Sequence, residues 1–295
     1  MVVVFMSSSQ PIVLTGVNGF CASRLYRFLK EKEQVIGLSH HDLDITDIDA
    51  CYRLVHEARP KAIIHSAAIS RMDECEKDPE LSFRVNVLGP ENLAKACADA
   101  GIRLIHFSTD QVYNGCKDAG PHPEETHLAP GNVYGKHKKE AEVRIAAQTD
   151  DFAAIRLTWM YDFPVRGIYT SQNLLTICQK ALYTNTPLTF SSTSGRGITF
   201  VHEVIENIPM LLNAPSGVYN FGSCSDMSTY DTAKLIFAQL GAGERIPSLL
   251  QPENEPAGKY PDLRMNCAKA TAQGMLFSTT EDGIAKAFKE YGYQK

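Results

Sequence analysis

The sequence predicts an α/β fold in which a doubly wound parallel sheet carries a smaller C-terminal substrate lobe. Two observations lead to this prediction. Short β-branched runs alternate with longer helical patterns through the first half of the chain, which is typical of β-α-β units. After about residue 160 this rhythm ends, and eight prolines interrupt shorter elements. We therefore predict a nucleotide-binding domain over residues 1–162, and over residues 163–295 mainly a substrate-binding lobe from which some segments return to the first domain.

The individual elements of the first half follow from apolar runs and the turn residues between them. Strands are predicted at residues 12–15, 34–38, 62–65, 104–107 and 154–157. Helices are predicted between them at residues 23–32, 48–58, 80–100 and 134–148. The long connection at residues 115–130 is rich in glycine, proline and acidic residues, and we interpret it as an active-site flap.

Composition and charge argue against several classes of protein. The net charge of -5 disfavours a broad surface for nucleic-acid phosphates, and no stretch approaches the roughly 20 apolar residues needed to cross a bilayer. The eight cysteines lack CxxC spacing or a pairing with histidines, so we expect free thiols in a reducing cytoplasm and no metal site. The apolar run at residues 1–6 is too short for a secretory core, and residues 1–9 are predicted to be an extension.

A glycine turn with the sequence GVNGFCA follows the first predicted strand and opens the first helix. Its glycines permit a tight turn, so that backbone N–H groups at the helix start can approach a pyrophosphate. Ala22 stands where a third glycine is usual, and a methyl group is often tolerated between helix and strand. We predict a Rossmann-like dinucleotide site here, with Gly16, Asn18, Gly19 and Phe20 in contact with the cofactor.

The end of the second strand bears on the choice of cofactor. An acidic residue there would accept hydrogen bonds from ribose hydroxyls and favour NAD(H), whereas a cationic residue would favour the phosphate of NADP(H). The sequence has a serine followed by His40 and His41, so we predict NADP(H), with His40 and Arg24 near the additional phosphate. The alternative is that both histidines are solvated loop residues. Asp44 and Ile45, just beyond, are predicted to border the adenine.

A tyrosine and a lysine supply a candidate reaction centre. Tyr134 and Lys138 are four residues apart, so on a helix both side chains lie on one face. A nearby ammonium would lower the pKa of the phenol, and the same lysine can bind ribose hydroxyls of the cofactor. Thr109 directly follows a predicted strand, at the end of the sheet where ligands bind. We predict that Thr109 holds a ketone oxygen and that Tyr134 protonates the alkoxide formed by hydride transfer.

These motifs resemble the extended short-chain dehydrogenase/reductase family, and within it the dTDP-4-dehydrorhamnose reductase branch. The resemblance runs over most of the chain, at residues 15–19, 43–47, 67–68, 86, 108–110, 134–138, 156–161, 200–203 and 217–222. It implies NAD(P)H-dependent reduction of a keto group on a nucleotide-linked deoxysugar. The site residues that it implies are Thr109, Tyr134 and Lys138 in catalysis, Gly16, Asn18, Gly19, Ala67 and Ala68 at the cofactor, and Asn86, Trp159 and Arg264 at the substrate.

Several alternatives stay open. Trp159 is equally compatible with a core anchor, and Arg264 with a packing role. Dehydration is disfavoured, because Gln111 stands where related dehydratases have a second acid and an amide cannot serve as an acid-base group. An epimerase that keeps its cofactor bound is a second hypothesis. A non-catalytic subunit, like the regulatory subunit of methionine adenosyltransferase, is a third. The oligomeric state is undetermined, with a homodimer among the candidates.

Overall fold

Strands and helices alternate through the part of the chain that the computed structural model describes, residues 10–253 and 260–293. The predicted extension at residues 1–9 lies outside this part. The strands are β1 (Ile12–Thr15), β2 (Val35–Leu38), β3 (Ala62–His65), β4 (Arg103–Thr109), β5 (Phe152–Leu157), β6 (Trp159–Tyr161), β7 (Leu188–Ser191), β8 (Ile198–Phe200), β9 (Gly217–Phe221) and β10 (Leu250–Glu253). The helices are α1 (Phe20–Leu29), α2 (Ile48–Ala58), α3 (Met72–Lys77), α4 (Pro79–Phe83), α5 (Gly89–Ala100), α6 (Val133–Gln148), α7 (Leu174–Thr184), α8 (Val201–Asn207), α9 (Thr229–Gln239), α10 (Ile246–Leu249), α11 (Ala268–Ala272) and α12 (Thr280–Glu290).

A six-stranded parallel sheet forms the centre of the fold, in the order β2-β1-β3-β4-β5-β9. The predicted doubly wound α/β class is therefore confirmed. The chain runs outward from β1 to β2 and then crosses back to β3, so the crevice for a ligand lies at the carboxyl ends of β1 and β3. Strand β9 comes from the second half of the chain and extends the sheet beside β5. The division at residues 162 and 163 stays a prediction.

Both faces of the sheet are covered, because successive side chains along a strand point to opposite sides. Ile12 and Leu14 of β1 lie in one apolar cluster with α1 and α8. Val13, between them, lies in the other cluster with α2 and α5. This burial on both sides explains why β1 and β3 are almost entirely apolar and why sequence alone located both strands.

The predicted single helix at residues 80–100 is wrong in detail, because the structure divides it into three. Helix α4 begins at Pro79, a π-helical turn follows at Arg84–Leu88, and α5 continues from Gly89. The π turn contains Asn86, whose buried side chain bonds the backbone of the loop after β3. A wider turn of this kind often marks a functional position in a helix.

The second half of the chain supplies a smaller apolar core. Strands β7 and β10 form one two-stranded sheet, and β6 and β8 form another. Helices α7, α9 and α12 pack their apolar sides against them, with Phe237 and Phe288 fully buried. Among the described residues, no helix combines the length and apolarity that a bilayer crossing needs.

Candidate active site

A tight turn at Gly16 leads from β1 into α1. Gly16 has φ +70°, and a Cβ there would lie 2.7 Å from the backbone nitrogen of Ala67. The Gly19 N–H donates to the Gly16 carbonyl at 2.8 Å, and α1 then begins at Phe20 without a side-chain cap. The first N–H groups of α1 therefore face the crevice and suit a pyrophosphate, which fits the dinucleotide predicted there.

The far end of the cofactor crevice departs from the sequence prediction in two ways. Arg24 is 4% exposed, and its Nε donates to Asp162 Oδ2 at 2.5 Å. The predicted role of Arg24 at a cofactor phosphate is therefore wrong, because α1 turns this side chain towards the end of β6. In addition, Asp42 was not among the predicted residues, and its carboxylate accepts hydrogen bonds from the Ser39 N–H and Oγ at 2.8 and 2.6 Å. His40 is exposed beside this turn.

The two residues predicted to border the adenine differ in their accessibility. Asp44 is exposed, and its Oδ1 accepts hydrogen bonds from the Thr46 N–H and Oγ1 at 2.9 and 2.7 Å. Ile45 is 6% exposed and faces α5, because a Cβ on Gly89 would lie 2.5 Å from its Cδ1. Asp44 therefore lies at the surface of the crevice, whereas Ile45 supports its wall from behind.

The loop after β3 lies beside the glycine turn. Ala67 and Ala68 are half-buried in this loop, and their predicted contact with the cofactor stays a prediction. Asn86 holds this loop, since its Oδ1 accepts from the Ile69 N–H and its Nδ2 donates to the Ile69 carbonyl, both at 2.9 Å. At 1% exposure, Asn86 positions the loop. The predicted contact of Asn86 with substrate stays a prediction.

The predicted catalytic residues come together at the end of β4. Thr109 is the last residue of β4, and its side chain lies close enough to the Tyr134 phenol to lower the pKa of that phenol. Tyr134 lies in the first turn of α6, where the Asn132 side chain caps the helix by accepting from the Gly135 N–H at 2.7 Å. A Cβ on Gly135 would lie 2.4 Å from the Gln111 carbonyl oxygen, so this glycine lets α6 begin close to β4. Lys138 follows one turn later.

The environment of Tyr134 and Lys138 favours a protonated phenol. Burial, followed by the charge of Asp110, raises the pKa of Tyr134 above its ordinary value, and the hydrogen bond with Thr109 opposes that rise. The predicted lowering of this pKa is therefore wrong for the protein without cofactor. Burial also lowers the pKa of Lys138 to about 7. A phenol that keeps its proton at neutral pH suits a proton donor.

A buried ion pair supports the same wall of the crevice. Glu142 lies one turn after Lys138 on α6, and its Oε2 accepts from Arg156 Nη2 of β5 at 2.7 Å. Both side chains are about 5% exposed or less. Arg156 Nη1 also donates to the Tyr113 hydroxyl at 2.7 Å. These bonds hold α6 against β5 and the turn after β4, and thereby determine the position of Lys138.

Arg196 is a site residue that sequence reasoning missed. Its Nη2 donates to Asp110 Oδ2 at 2.5 Å, directly beside Thr109, although the two residues are 86 positions apart. The guanidinium lies over the Trp159 ring, 5.2 Å from its centroid. Trp159 is thus half-buried at the crevice, beside a cation. The one local signal is that Arg196 stands between Gly195 and Gly197, where the backbone packs closely.

Arg264 lies at the rim of a cavity of about 320 Å³ that Cys224 and Met227 also line. Its Nη2 donates to Asp262 Oδ2 at 2.7 Å and to the Gly120 carbonyl at 3.0 Å. Gly120 belongs to the predicted flap, which is therefore tied to the segment that carries Arg264. Arg264 both packs against this loop and faces open space. No group of three or more metal-ligating side chains occurs within residues 10–253 and 260–293.

Comparisons with known proteins identify the family of the chain and proteins of similar fold. A family model described as RmlD substrate binding domain matches residues 10–292. A dTDP-4-keto-6-deoxy-D-glucose reductase from Streptomyces niveus is 29% identical over 78% of this chain and 78% of its own length. The methionine adenosyltransferase 2 subunit beta of Xenopus laevis is 28% identical over 90% of this chain and 83% of its own length. A Bacillus anthracis dTDP-4-dehydrorhamnose reductase, solved with NADP, matches with a TM-score of 0.84 at 24% identity, covering 96% of this chain and 99% of that one.

Proposed function

We propose that this chain, which belongs to the RmlD substrate binding domain family, uses a reduced nicotinamide cofactor to convert a keto group on a nucleotide-linked deoxysugar into an alcohol. The observation that carries the proposal is the contact of Thr109 with Tyr134 at the end of β4, one helical turn from the buried Lys138. The similarity to the Streptomyces niveus dTDP-4-keto-6-deoxy-D-glucose reductase supports the substrate class.

The residues of the chain would act on the ketone oxygen. When bound, the reduced nicotinamide supplies a hydride. The Thr109 hydroxyl holds the ketone oxygen, and the Tyr134 phenol donates its proton to that oxygen, so the ketone gains one hydride and one proton. The Lys138 ammonium stabilises the phenolate left behind and donates to ribose hydroxyls. The raised pKa of Tyr134 keeps the proton available at neutral pH.

The glycine turn would hold the cofactor. The tight turn at Gly16, which leaves no room for a Cβ beside Ala67, and the uncapped start of α1 suit a pyrophosphate beside Asn18, Gly19 and Phe20. We infer a preference for NADP(H) over NAD(H), with His40 next to the additional phosphate. The Asp42 carboxylate already accepts two hydrogen bonds from Ser39, which leaves it less free to bind ribose hydroxyls.

The proposal extends to compartment and partners. The eight cysteines all lie in the described residues and are free thiols, which supports a reducing compartment such as the cytoplasm. The partner that we propose is the sugar nucleotide, with neither nucleic acid nor membrane required. A homodimer is the assembly to test, and light scattering of the purified chain would measure it.

The first experiment measures cofactor oxidation by the purified chain with a dTDP-linked 4-keto-6-deoxysugar. NADPH should be consumed, and more efficiently than NADH. Tyr134→Phe should lower kcat about 100-fold or more, the range for loss of a positioned acid. Tyr183→Phe is the matched control, because Tyr183 is 93% exposed at the end of α7 and should leave kcat unchanged.

Three outcomes would replace the proposal. An unchanged rate in Tyr134→Phe would remove that residue from the reaction. Cofactor that stays bound through purification, with a sugar isomer formed and no net consumption, would establish an epimerase. Co-purification of a partner enzyme, together with no turnover of any keto sugar, would establish a regulatory subunit.

A further inference from the structure

A chain of buried polar groups runs from Lys138 across β4 and β3 to the carboxyl end of β1. Lys138 Nζ is 3.2 Å from Nε2 of His106, which lies on β4 three residues before Thr109. The His106 ring stacks on His65 of β3, with the ring centroids 5.3 Å apart. His65 Nδ1 in turn lies 2.8 Å from the Thr15 hydroxyl at the end of β1. Both imidazoles are 1% exposed.

The protonation of these groups fixes the direction of the hydrogen bond. Burial, followed by the charge of Lys138, lowers the pKa of His65 to about 3 and also lowers that of His106 well below its ordinary value. Both rings are therefore neutral at pH 7, so the amine donates and Nε2 of His106 accepts. Glu142 on α6 and Cys75 on α3 are the other charged or titratable groups that face Lys138.

We propose that His106 is a positioning residue for Lys138: it accepts one N–H of the ammonium from below and directs the other two towards the cofactor crevice. A lysine side chain has four rotatable bonds, so an anchor at its tip removes much of its conformational freedom before the cofactor arrives. A neutral acceptor does this without cancelling the charge. This inference rests on the proposed function, because it assigns Lys138 to the cofactor and to Tyr134.

A purely structural role explains these histidines less well. His106 Nδ1 and His65 Nε2 are buried and have no hydrogen-bond partner. Unpartnered polar atoms in a sheet interior lower stability, and an apolar side chain would avoid that loss. Leu104, which lies on the same face of β4 as His106, is apolar and fully buried. A requirement for a hydrogen-bond acceptor next to Lys138 accounts for a buried histidine at position 106.

The test compares His106→Gln with His106→Met, two unbranched side chains of similar length. Glutamine keeps an acceptor oxygen and methionine does not. NADPH affinity is measured by fluorescence without sugar substrate between pH 6 and pH 9. Loss of the acceptor disfavours the ammonium, so in His106→Met affinity should weaken about 10-fold or more and should begin to fall about one pH unit lower than in wild type. His106→Gln should follow the wild-type curve more closely.

A second background shows whether the effect passes through the lysine. In Lys138→Met, replacing His106 by methionine should change NADPH affinity no further. An additional loss in that background would overturn the proposal, as would identical curves for His106→Met and wild type. Equal loss of affinity and of melting temperature in both His106 variants would also overturn it. If the wild type reduces no keto sugar but the His106→Met curve is shifted, the substrate assignment fails and the positioning role stands.

Discussion

The two walls of the crevice are built in different ways. On the catalytic wall, Thr109 and Lys138 are at most 7% exposed and lie on β4 and α6, long regular elements that pack tightly together. On the opposite wall, Arg196 and Arg264 lie outside any strand or helix, and their side chains are 20% and 26% exposed. The sheet positions the first wall, whereas charge pairs position the second.

This difference indicates which wall tolerates change. Displacing a group on the catalytic wall means moving β4 or α6, and close-packed interiors resist such movement. The opposite wall is held by ion pairs to Asp110, Asp226 and Asp262 that water partly screens. Substitutions on the catalytic wall should therefore affect stability and the chemical step, and those on the opposite wall should affect substrate binding.

The largest effect on stability is expected from Glu142→Gln on the catalytic wall. It leaves the guanidinium of Arg156 buried without its counter-charge, which should destabilise the protein by about 3 kcal/mol or more. Urea unfolding measures the loss. Asp73→Asn is the control, because its pair with Arg71 is exposed to solvent, which screens it, and should contribute little to stability. Equal losses in the two variants would contradict the contrast between buried and exposed pairs.

A somewhat smaller effect is expected from pH, again on the catalytic wall. Burial in the folded protein lowers the pKa of Lys138 from its ordinary value of 10.5 to about 7, so between these values the unfolded chain binds more protons than the folded one. Stability without cofactor should therefore rise with pH, by roughly 2 to 3 kcal/mol between pH 7 and pH 9. Urea unfolding of Lys138→Met should lack this rise. Parallel pH curves for the two proteins would contradict the linkage.

The smallest effect is expected from Arg196→Met on the opposite wall. Methionine keeps an apolar stem over Trp159 but removes the charge that pairs with Asp110. The KM for the sugar nucleotide should rise about 10-fold, the scale of one charge-assisted hydrogen bond, while kcat changes little. Steady-state kinetics at saturating NADPH would separate the two constants. A fall in kcat as large as the rise in KM would place Arg196 with the catalytic wall.

The parts of the fold that sequence predicted are those with a local cause. Strands β1 and β3 are apolar runs bounded by turn residues, and their predicted limits match the structure. The four-residue spacing of Tyr134 and Lys138 correctly placed both on α6, since helical periodicity depends on neighbours alone.

The parts that sequence missed depend on distant contacts. Arg24 follows the glycine turn directly, yet its partner Asp162 lies 138 positions away and draws it from the cofactor. Arg196 and Asp110 meet only because the second half of the chain folds back over β4. The Asp42 carboxylate accepts a hydrogen bond from the Ser39 N–H across a tight turn, and the residues directly at the end of β2 do not predict that turn.

The π turn at Arg84–Leu88 determines which way the side chains of α4 face relative to those of α5. An α-helix rotates about 100° per residue, so deleting one residue here would rotate α4 against α5 by about that angle. Ser82, which forms hydrogen bonds with both Asn86 and His137, would then turn away from them. The hydrogen bond between the Asn86 side chain and the Ile69 backbone would also be lost. The position of the loop after β3 therefore depends on the length of a helix outside the crevice. Deletion of a single residue from the π turn would displace that loop.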